Sequence, residues 1–215
     1  MILLAFATEI EARPFIEYHH LKKKKDGNPY DLYEGSDISL IVTGMGSIKG
    51  AVYLSDLIQN KMKESIHIAK IINYGIAGCL SDKFSIGDVV EIDRVIKYNP
   101  VELSKTKPDK HFISAFPDIT INKKNVDINI LATSDHPVFN KDDSEIIARC
   151  AHFVDMEGYG YAFAAGCYNI PIQLIKWVSD FVFKHSEESF KQNVKTCLKK
   201  LLISHTSRNI PEKKK

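Results

Sequence analysis

Residues 2–12 read ILLAFATEIEA, and this stretch decides the fold class. The continuous apolar run from Ile2 to Ala7 predicts a central β-strand that is covered on both faces. Thr8 is a residue type that caps helices, and Glu9 and Glu11 would lie in the first turn of the helix that follows. A buried strand that leads directly into a helix is typical of α/β proteins, so we expect this class.

Strands and helices alternate along the rest of the chain. Asp31–Glu34 and Ile38–Thr43 predict a hairpin joined through Gly35-Ser36-Asp37. Further elements are expected as strands at Ile68–Tyr74, Asp88–Val95, Ile128–Thr133 and Pro171–Ser179, as helices at Lys49–Met62, Ser144–Cys150, Met156–Tyr168 and Ser186–Ser204, and as an irregular excursion at Asn99–Lys124. The alternation predicts a single-domain three-layer α/β/α fold with a twisted mixed sheet over residues 1–205, followed by a basic C-terminal tail at 206–215.

Composition excludes several functional classes. Of the 215 residues, 44% are hydrophobic and 26% are charged, as in ordinary soluble proteins, and the net charge of +2 is too small to indicate nucleic-acid or membrane-surface binding. We see no apolar segment of membrane-spanning length and no signal-peptide pattern at the N-terminus. The four cysteines are widely spaced and predict reduced, mostly buried thiols in a cytoplasmic protein, with no metal or disulfide framework. The clusters Lys22–Lys25 and Lys213–Lys215 are expected in a turn and in the tail.

Polar and glycine-rich segments follow several predicted strands. Because ligands collect at the carboxyl ends of the strands in open α/β sheets, these segments are expected to face one crevice. They are ATEIEA at 7–12, TGMGS at 43–47, NYGIAGC at 73–79, TSDH at 133–136 and VSD at 178–180.

Each of these segments also has a purely structural interpretation. TGMGS fits a tight strand-to-helix turn, and it lacks the pattern of a P-loop. The glycines of YGIAG fit close backbone packing, and the acids near the first helix fit its dipole. His136 and His152 have no partners at metal-ligand spacing, and Trp177 fits a packing role in a strand.

Taken in order, the segments resemble the nucleoside phosphorylase/nucleosidase family, which contains purine nucleoside phosphorylases and methylthioadenosine/S-adenosylhomocysteine nucleosidase. The resemblance runs from Ile2 to about Asp180. The segments that carry it are ATEIEA, TGMGSIKGA (43–51), IINYGIAGCLSDKFSIGDVVEID (71–93), VDMEGYGYAFA (154–164) and IPIQLIKWVSD (170–180). The Met-Glu pair at 156–157, followed by the Ser-Asp pair at 179–180, is its most specific part.

The resemblance implies roles for individual residues. Glu157 would accept hydrogen bonds from the ribose hydroxyls while Met156 packs against the sugar. Asp180 would act as an acid at purine N7, and Glu11 would be the general base for water, with Glu9 left open as the alternative. The remaining substrate-binding candidates are Thr8, Gly75, Ala77, Gly78, Val138, Phe139, Asp155, Lys176 and Ser179.

The nucleophile is expected to be water rather than phosphate. Phosphorylases of this family bind phosphate with arginines near the first strand and near the position of Asn73. Here the first turn carries Glu9 and Glu11, which would repel a multiply charged oxyanion. Arg13 is expected on the helix surface, and Lys176, where relatives carry an arginine, is a single cation. Hydrolysis is therefore favoured.

The resemblance implies a purine nucleosidase that hydrolyses the N-glycosidic bond of an adenosine-type nucleoside, such as 5′-methylthioadenosine or S-adenosylhomocysteine. Pro137 stands where the nucleosidase has a phenylalanine, with Phe139 nearby, and Ile76 and Thr8 also depart from its pattern. Futalosine hydrolase, a phosphate-dependent purine nucleoside phosphorylase and a non-catalytic nucleoside-binding homologue remain alternatives. The absence of G-x-G-x-x-G after the first strand disfavours a dinucleotide enzyme. A homodimer without cofactor or metal is expected.

Overall fold

A mixed sheet of eleven strands forms the centre of the described part of the chain. The computed structural model describes residues 1–25, 27–98, 100–101, 111–112, 118–122, 128–139, 141–182, 193 and 202–203. Its strands are β1 (Ile2–Phe6), β2 (Lys22–Lys23), β3 (Asp31–Glu34), β4 (Ile38–Val42), β5 (Lys70–Cys79), β6 (Val89–Glu91), β7 (Arg94–Tyr98), β8 (Pro100–Val101), β9 (His111–Phe112), β10 (Ile119–Thr120), β11 (Ile130–Ser134), β12 (Phe153–Asp155) and β13 (Ile172–Phe181). The helices are α1 (Glu9–Tyr18), α2 (Ser47–Lys63), α3 (Lys141–Ala148) and α4 (Gly158–Cys167).

The strand order is β10-β7-β11-β12-β5-β1-β4-β3-β2, and β13 pairs with both β5 and β6. β1 runs parallel to its neighbours β4 and β5, and β5 runs parallel to β13. Antiparallel pairs join β3 to β4 and β12 to β5, so the sheet is mixed, as predicted. Strands β8 and β9 form a separate antiparallel pair.

Helices cover both faces of the sheet. Successive side chains of β1 point to opposite faces, so Leu4 packs in one core cluster with Phe15 of α1, and Leu3 packs in another with Leu54 of α2. All residues of β1 from Leu3 to Phe6 are fully buried. The predicted central strand and the three-layer α/β/α architecture are therefore confirmed.

Two predicted strand boundaries are wrong. The glycine-rich segment after Tyr74 was expected to follow the end of its strand, but β5 continues through it to Cys79 because β13 pairs with it along this length. The predicted strand Asp88–Val95 is two strands, β6 and β7. They are separated at Asp93, a buried residue whose carboxylate accepts a hydrogen bond from the backbone N–H of Asn129 at 2.8 Å.

The starts of the helices differ in a way that matters for the site. α4 begins at Gly158, so Met156 and Glu157 precede the helix instead of lying inside it. α2 begins at Ser47, earlier than predicted, after Gly46 adopts a φ of 105° that favours glycine. The predicted apolar face of α2 is confirmed, since its buried residues include Leu54, Leu57 and Ile58.

Other predictions have mixed outcomes. Lys22 and Lys23 form a short strand instead of a turn. Among the described cysteines, Cys79 is buried, Cys150 is partly buried and Cys167 is exposed, so the expectation of mostly buried thiols is wrong for Cys167. The predicted closing helix Ser186–Ser204 lies outside the described residues apart from isolated positions, as do the tail 206–215 and most of Asn99–Lys124. Within the described part of the chain, the helices are too short or too polar to cross a bilayer.

Candidate active site

A cavity of about 800 Å³ opens at the strand ends where the sequence predicted a crevice. Apart from Glu9, the alternative to Glu11, all of the site residues proposed from the sequence line this one cavity. Its lining consists of Ala7, Thr8, Ile10, Glu11, Met45, Asn73, Tyr74, Gly75, Ile76, Ala77, Gly78, His136, Pro137, Val138, Phe139, Val154, Asp155, Met156, Glu157, Lys176, Ser179, Asp180 and Val182. Residues distant in sequence are thus gathered by the ends of β1, β4, β5, β11, β12 and β13.

A second cavity lies away from these residues. Its volume is about 320 Å³, and its lining includes Arg94, Asp118, Arg149 and His152. It holds none of the carboxylates that the sequence singled out. The larger cavity is therefore the candidate active site.

Glu11 is held by the local structure of α1. Thr8 and Glu11 form a capping box, in which the Thr8 hydroxyl donates to Glu11 Oε2 at 2.7 Å and the Thr8 N–H donates to the same oxygen at 3.0 Å. Glu11 Oε1 accepts from the N–H of Ile76 at 3.2 Å. Burial raises the pKa of Glu11, although these hydrogen bonds and the nearby charge of Lys176 oppose the shift.

Glu9 lies elsewhere, although it is only two residues from Glu11. It does not line the cavity, and its side chain is 51% exposed and pairs with Arg13 at 3.4 Å. Two positions along a helix correspond to a rotation of about 200°, which separates the two side chains. Of the two glutamates that the sequence left open, Glu11 is the one placed in the cavity.

Glu157 lies at the junction between β12 and α4. Its Oε1 accepts a hydrogen bond from the backbone N–H of Gly46 at 2.8 Å, which links the junction to the turn before α2. Burial and the adjacent charge of Asp155 raise the pKa of Glu157 to about 7, against the opposing effects of Lys176 and Gly46. Glu157 is therefore poised to change its charge near neutral pH.

Asp155 and Lys176 form a buried ion pair beneath the cavity. Lys176 Nζ lies 2.8 Å from Asp155 Oδ2, and the side chains are 2% and 1% exposed. Asp155 Oδ1 accepts from the hydroxyl of Thr133 at 2.7 Å, and Oδ2 accepts from the N–H of Gly158 at 2.9 Å. Both oxygens of Asp155 thus already have protein donors, so this carboxylate anchors Lys176, while its predicted substrate contact stays a prediction.

Ser179 and Asp180 both lie inside β13, which continues to Phe181 beyond the predicted end of the strand at Ser179. The pairing of β13 with β5 shifts in register between Val178 and Asp180, which is a bulge that re-aims the side chains. The Ser179 hydroxyl donates to Asp180 Oδ1 at 2.5 Å. The bulge therefore brings Asp180 to the cavity from within a strand.

The charges around the cavity are predominantly acidic. Lys176 is the only lysine or arginine among the described residues of the lining, which also holds Glu11, Asp155, Glu157 and Asp180. Asn73 donates its amide hydrogens to the carbonyls of Ala5 at 3.0 Å and Tyr74 at 3.3 Å. A multiply charged anion would meet net repulsion here.

Several lining residues were missed by the sequence analysis. Ile10, Met45 and His136 line the cavity, and the backbone N–H of Gly46 binds Glu157. A backbone donor leaves no residue-type signature, so this contact could not be read from the sequence. The segment TGMGS had been noted as a strand-end turn, and that was the available signal.

These features define an α/β protein with a carboxylate-rich cavity at its strand ends, the arrangement expected of an enzyme that binds a small polar molecule. The sequence matches the family model described as Phosphorylase superfamily over residues 2–204. Since this match covers most of the chain, the chain belongs to the phosphorylase superfamily.

Individual relatives agree with this assignment. The 5′-methylthioadenosine/S-adenosylhomocysteine nucleosidase of Buchnera aphidicola subsp. Acyrthosiphon pisum is 27% identical over 215 residues, covering 90% of this chain and 89% of the relative. Futalosine hydrolase of Helicobacter pylori strain 26695 has a TM-score of 0.78 at 19% identity, covering 96% and 97% of the two chains. A 5′-methylthioadenosine/S-adenosylhomocysteine nucleosidase from Colwellia psychrerythraea 34H, in complex with adenine, has a TM-score of 0.74 at 21% identity, covering 92% of this chain and 89% of that chain. The structural likenesses confirm the nucleoside phosphorylase-like fold.

Proposed function

We propose that this protein is a purine nucleosidase, which hydrolyses the N-glycosidic bond of an adenosine-type nucleoside such as 5′-methylthioadenosine or S-adenosylhomocysteine. The observation that carries the proposal is the convergence of Glu11, Glu157 and Asp180 on one cavity. The nucleosidase activity named for the relatives supports the same reaction.

The reaction requires a leaving group and a nucleophile on opposite sides of the sugar. The bond between C1′ and the purine breaks with its electron pair moving to the base, and Asp180, as the general acid, donates a proton to purine N7. A water oxygen then forms a bond to C1′, and Glu11 accepts the proton that this water loses. The products are the free purine and the 5′-substituted ribose.

Glu157 is assigned to the ribose hydroxyls. A buried carboxylate is costly unless it accepts hydrogen bonds, and in the structure Gly46 supplies one. The two hydroxyls of a ribose would supply further donors. In this role Glu157 holds the sugar so that C1′ lies between the acid and the water, and Met156 packs against the ring.

Water is the nucleophile that fits the charges. Phosphate would have to approach Glu11 with Lys176 as the single lysine or arginine of the described lining, and Asp155 already neutralises that lysine. A neutral water molecule meets no such repulsion. Glu11 also has a raised pKa, which makes its carboxylate a stronger base than an exposed glutamate.

Release of adenine from 5′-methylthioadenosine is therefore expected to proceed at its full rate in phosphate-free buffer. The measurement is free-base release from a panel of nucleosides, with and without added inorganic phosphate. Inosine and S-adenosylhomocysteine in the panel define the base and the 5′ group. Formation of a sugar 1-phosphate that depends strictly on phosphate would show that the enzyme is a phosphorylase.

Futalosine hydrolysis is the second candidate. Pro137 occupies the position where the nucleosidase carries a phenylalanine, so the aromatic wall for adenine is altered at that point. Futalosine also contains a purine nucleoside, with a bulky 5′ arm. Including futalosine in the same panel distinguishes the two substrates by their kcat/KM values.

The pKa of Glu157, about 7, predicts a pH dependence of kcat/KM. The carboxylate accepts hydrogen bonds from both ribose hydroxyls, and protonation removes acceptor capacity. Activity should therefore fall as the pH drops below about 7, by up to ~tenfold per pH unit. Glu157→Gln should lower kcat/KM at every pH and abolish this inflection. An unchanged inflection near pH 7 in the glutamine variant would assign the titration to another group.

We also propose that the protein is a cytoplasmic homodimer. Support comes from an apolar strip on α2, where Ile48 is 73% exposed and Val52 is 55% exposed, next to Met45 at the cavity. Exposed apolar surface of this kind marks interfaces between protein chains. A monomeric mass in analytical ultracentrifugation would contradict the dimer.

A further inference from the structure

We propose that Lys97, Asp135 and Ser47 form a positioning network that fixes two walls of the cavity relative to each other. Lys97 Nζ donates to Ser47 Oγ at 3.0 Å and to Asp135 Oδ1, and Ser47 Oγ donates to the same Asp135 oxygen at 2.9 Å. Three separate segments of the chain thus meet at one carboxylate oxygen. None of the three residues lines the cavity.

Both partners of Lys97 are next in sequence to residues that line the cavity or hold a residue lining it. Ser47 is the first residue of α2 and directly follows Gly46, whose N–H binds Glu157. Asp135 directly precedes the segment His136–Phe139, which forms one wall of the cavity. The network therefore joins the turn that holds the sugar-binding carboxylate to the loop proposed to face the base.

The burial of Lys97 distinguishes this network from an ordinary surface ion pair. Lys97 lies in β7, opposite Thr133 of β11 in the strand register, and its side chain is 7% exposed, whereas that of Asp135 is 52% exposed. Burial alone would raise the pKa of Asp135, but the hydrogen bonds from Lys97 and Ser47 and the charge of Lys97 outweigh it and lower this pKa. Losing one partner would leave a buried ammonium or a displaced carboxylate, which is costly.

The consequence for the enzyme is a selective effect on substrate binding. Glu11 and Asp180 are held by α1 and β13, which contain none of the network residues. Loosening the network should therefore weaken binding of the nucleoside in the ground state and the transition state alike. Such a loss raises KM and leaves kcat largely unchanged. This kinetic expectation rests on the proposed nucleosidase activity.

The test uses Asp135→Asn, Ser47→Ala and Lys97→Met, with Lys61→Met as the matched control. Lys61 is also a buried lysine, since its side chain is 4% exposed and pairs with Glu34 at 2.6 Å and Glu64 at 2.9 Å. It lies outside the cavity lining. Both variants remove a buried lysine from its ion pair with a more exposed carboxylate, but only Lys97→Met disturbs the network.

We expect Asp135→Asn and Lys97→Met to raise KM for the nucleoside by about tenfold, with kcat within about threefold of wild type. KM of the double variant Asp135→Asn/Lys97→Met should be little higher than KM of either single variant, because the two residues act together. The dissociation constant of adenine, measured by calorimetry, should rise in step with KM. Lys61→Met should lower the melting temperature while KM stays at the wild-type value.

Amide hydrogen exchange gives a readout that does not depend on activity. Exchange should accelerate at residues 44–47 and 134–139 in the network variants and stay unchanged there in Lys61→Met. Unchanged KM and unchanged exchange in both Asp135→Asn and Ser47→Ala would overturn the proposal, even if Lys97→Met failed to fold. If wild-type protein released no base, the proposed function would fail, and the exchange data would still decide on the network.

Discussion

Asp180→Asn is expected to reduce kcat on a purine nucleoside by about 10²-fold or more. Asparagine is close in shape to aspartate but cannot donate an acidic proton, so the purine would have to leave carrying negative charge. The Ser179 hydroxyl, which now donates to Asp180 at 2.5 Å, can donate to the amide oxygen instead. The bulge in β13 should therefore persist, and the loss should be one of chemistry.

The substrate decides whether this interpretation is correct. A nitrophenyl riboside has a leaving group that needs no protonation, so its hydrolysis by Asp180→Asn should stay within about tenfold of wild type. The measurement is kcat for both substrates with wild type, Asp180→Asn and Asp56→Asn. Asp56 lies on α2, outside the cavity lining, and accepts a hydrogen bond from the Tyr30 hydroxyl, so its variant controls for a general effect of losing an aspartate. Equal losses on the two substrates would exclude a role for Asp180 at the leaving group.

The elements that the sequence predicted well are those set by local interactions. The side chain of each of Thr8 and Glu11 accepts a hydrogen bond from the backbone N–H of the other, so the start of α1 is encoded in four consecutive residues. Leu54, Leu57 and Ile58 repeat at helical spacing and are buried on one face of α2. The family resemblance indicated which residues at the ends of the strands belong to the site, which local sequence patterns could not provide.

The errors arose where distant partners determine the structure. Gly75 was expected to follow the end of a strand, but it lies inside β5, where a Cβ atom would lie 3.3 Å from both Glu11 Oε1 and Lys176 Nζ. The glycine therefore makes room for the charged groups of the cavity. Local pattern also gave no indication that Asp155 would pair with Lys176, because that contact depends on how β12 and β13 pack against β5.

The network of Lys97, Asp135 and Ser47 was equally invisible in the sequence. Each residue lies in a segment with an adequate local explanation as a strand or a turn. Their contact requires β7, β11 and the start of α2 to be brought together. Residues that act through others leave weaker sequence signals than residues that belong to a family motif, and they are best found from geometry.

Glu11→Gln is the variant expected to have the second large effect, a loss of kcat of about 10²- to 10⁴-fold. Water must lose a proton to attack C1′ whichever leaving group departs, so the purine nucleoside and the nitrophenyl riboside should be affected similarly. This equality distinguishes Glu11→Gln from Asp180→Asn. The measurement is kcat on both substrates. Nucleoside binding, checked by calorimetry, should be retained, because Glu157 and the backbone around Gly75 are unchanged.

Glu9→Gln is the matched control, since it makes the same chemical change two residues away on the same helix. Glu9 is exposed and pairs with Arg13, so this variant should retain kcat within about twofold. Full activity in Glu11→Gln together with loss in Glu9→Gln would show that the base is Glu9.

Stability gives an independent check on the same pair of variants. The pKa of Glu11 is raised in the folded protein, so the folded state disfavours its ionised form. The stability contribution of this group is therefore fully present below its unfolded pKa and is lost as the pH rises through the folded pKa. Glutamine does not ionise, although its amide nitrogen replaces an oxygen that accepts from Thr8 or Ile76. Raising the pH from 5 to 8 should therefore lower the melting temperature of Glu11→Gln less than that of wild type, and Glu9→Gln should follow wild type.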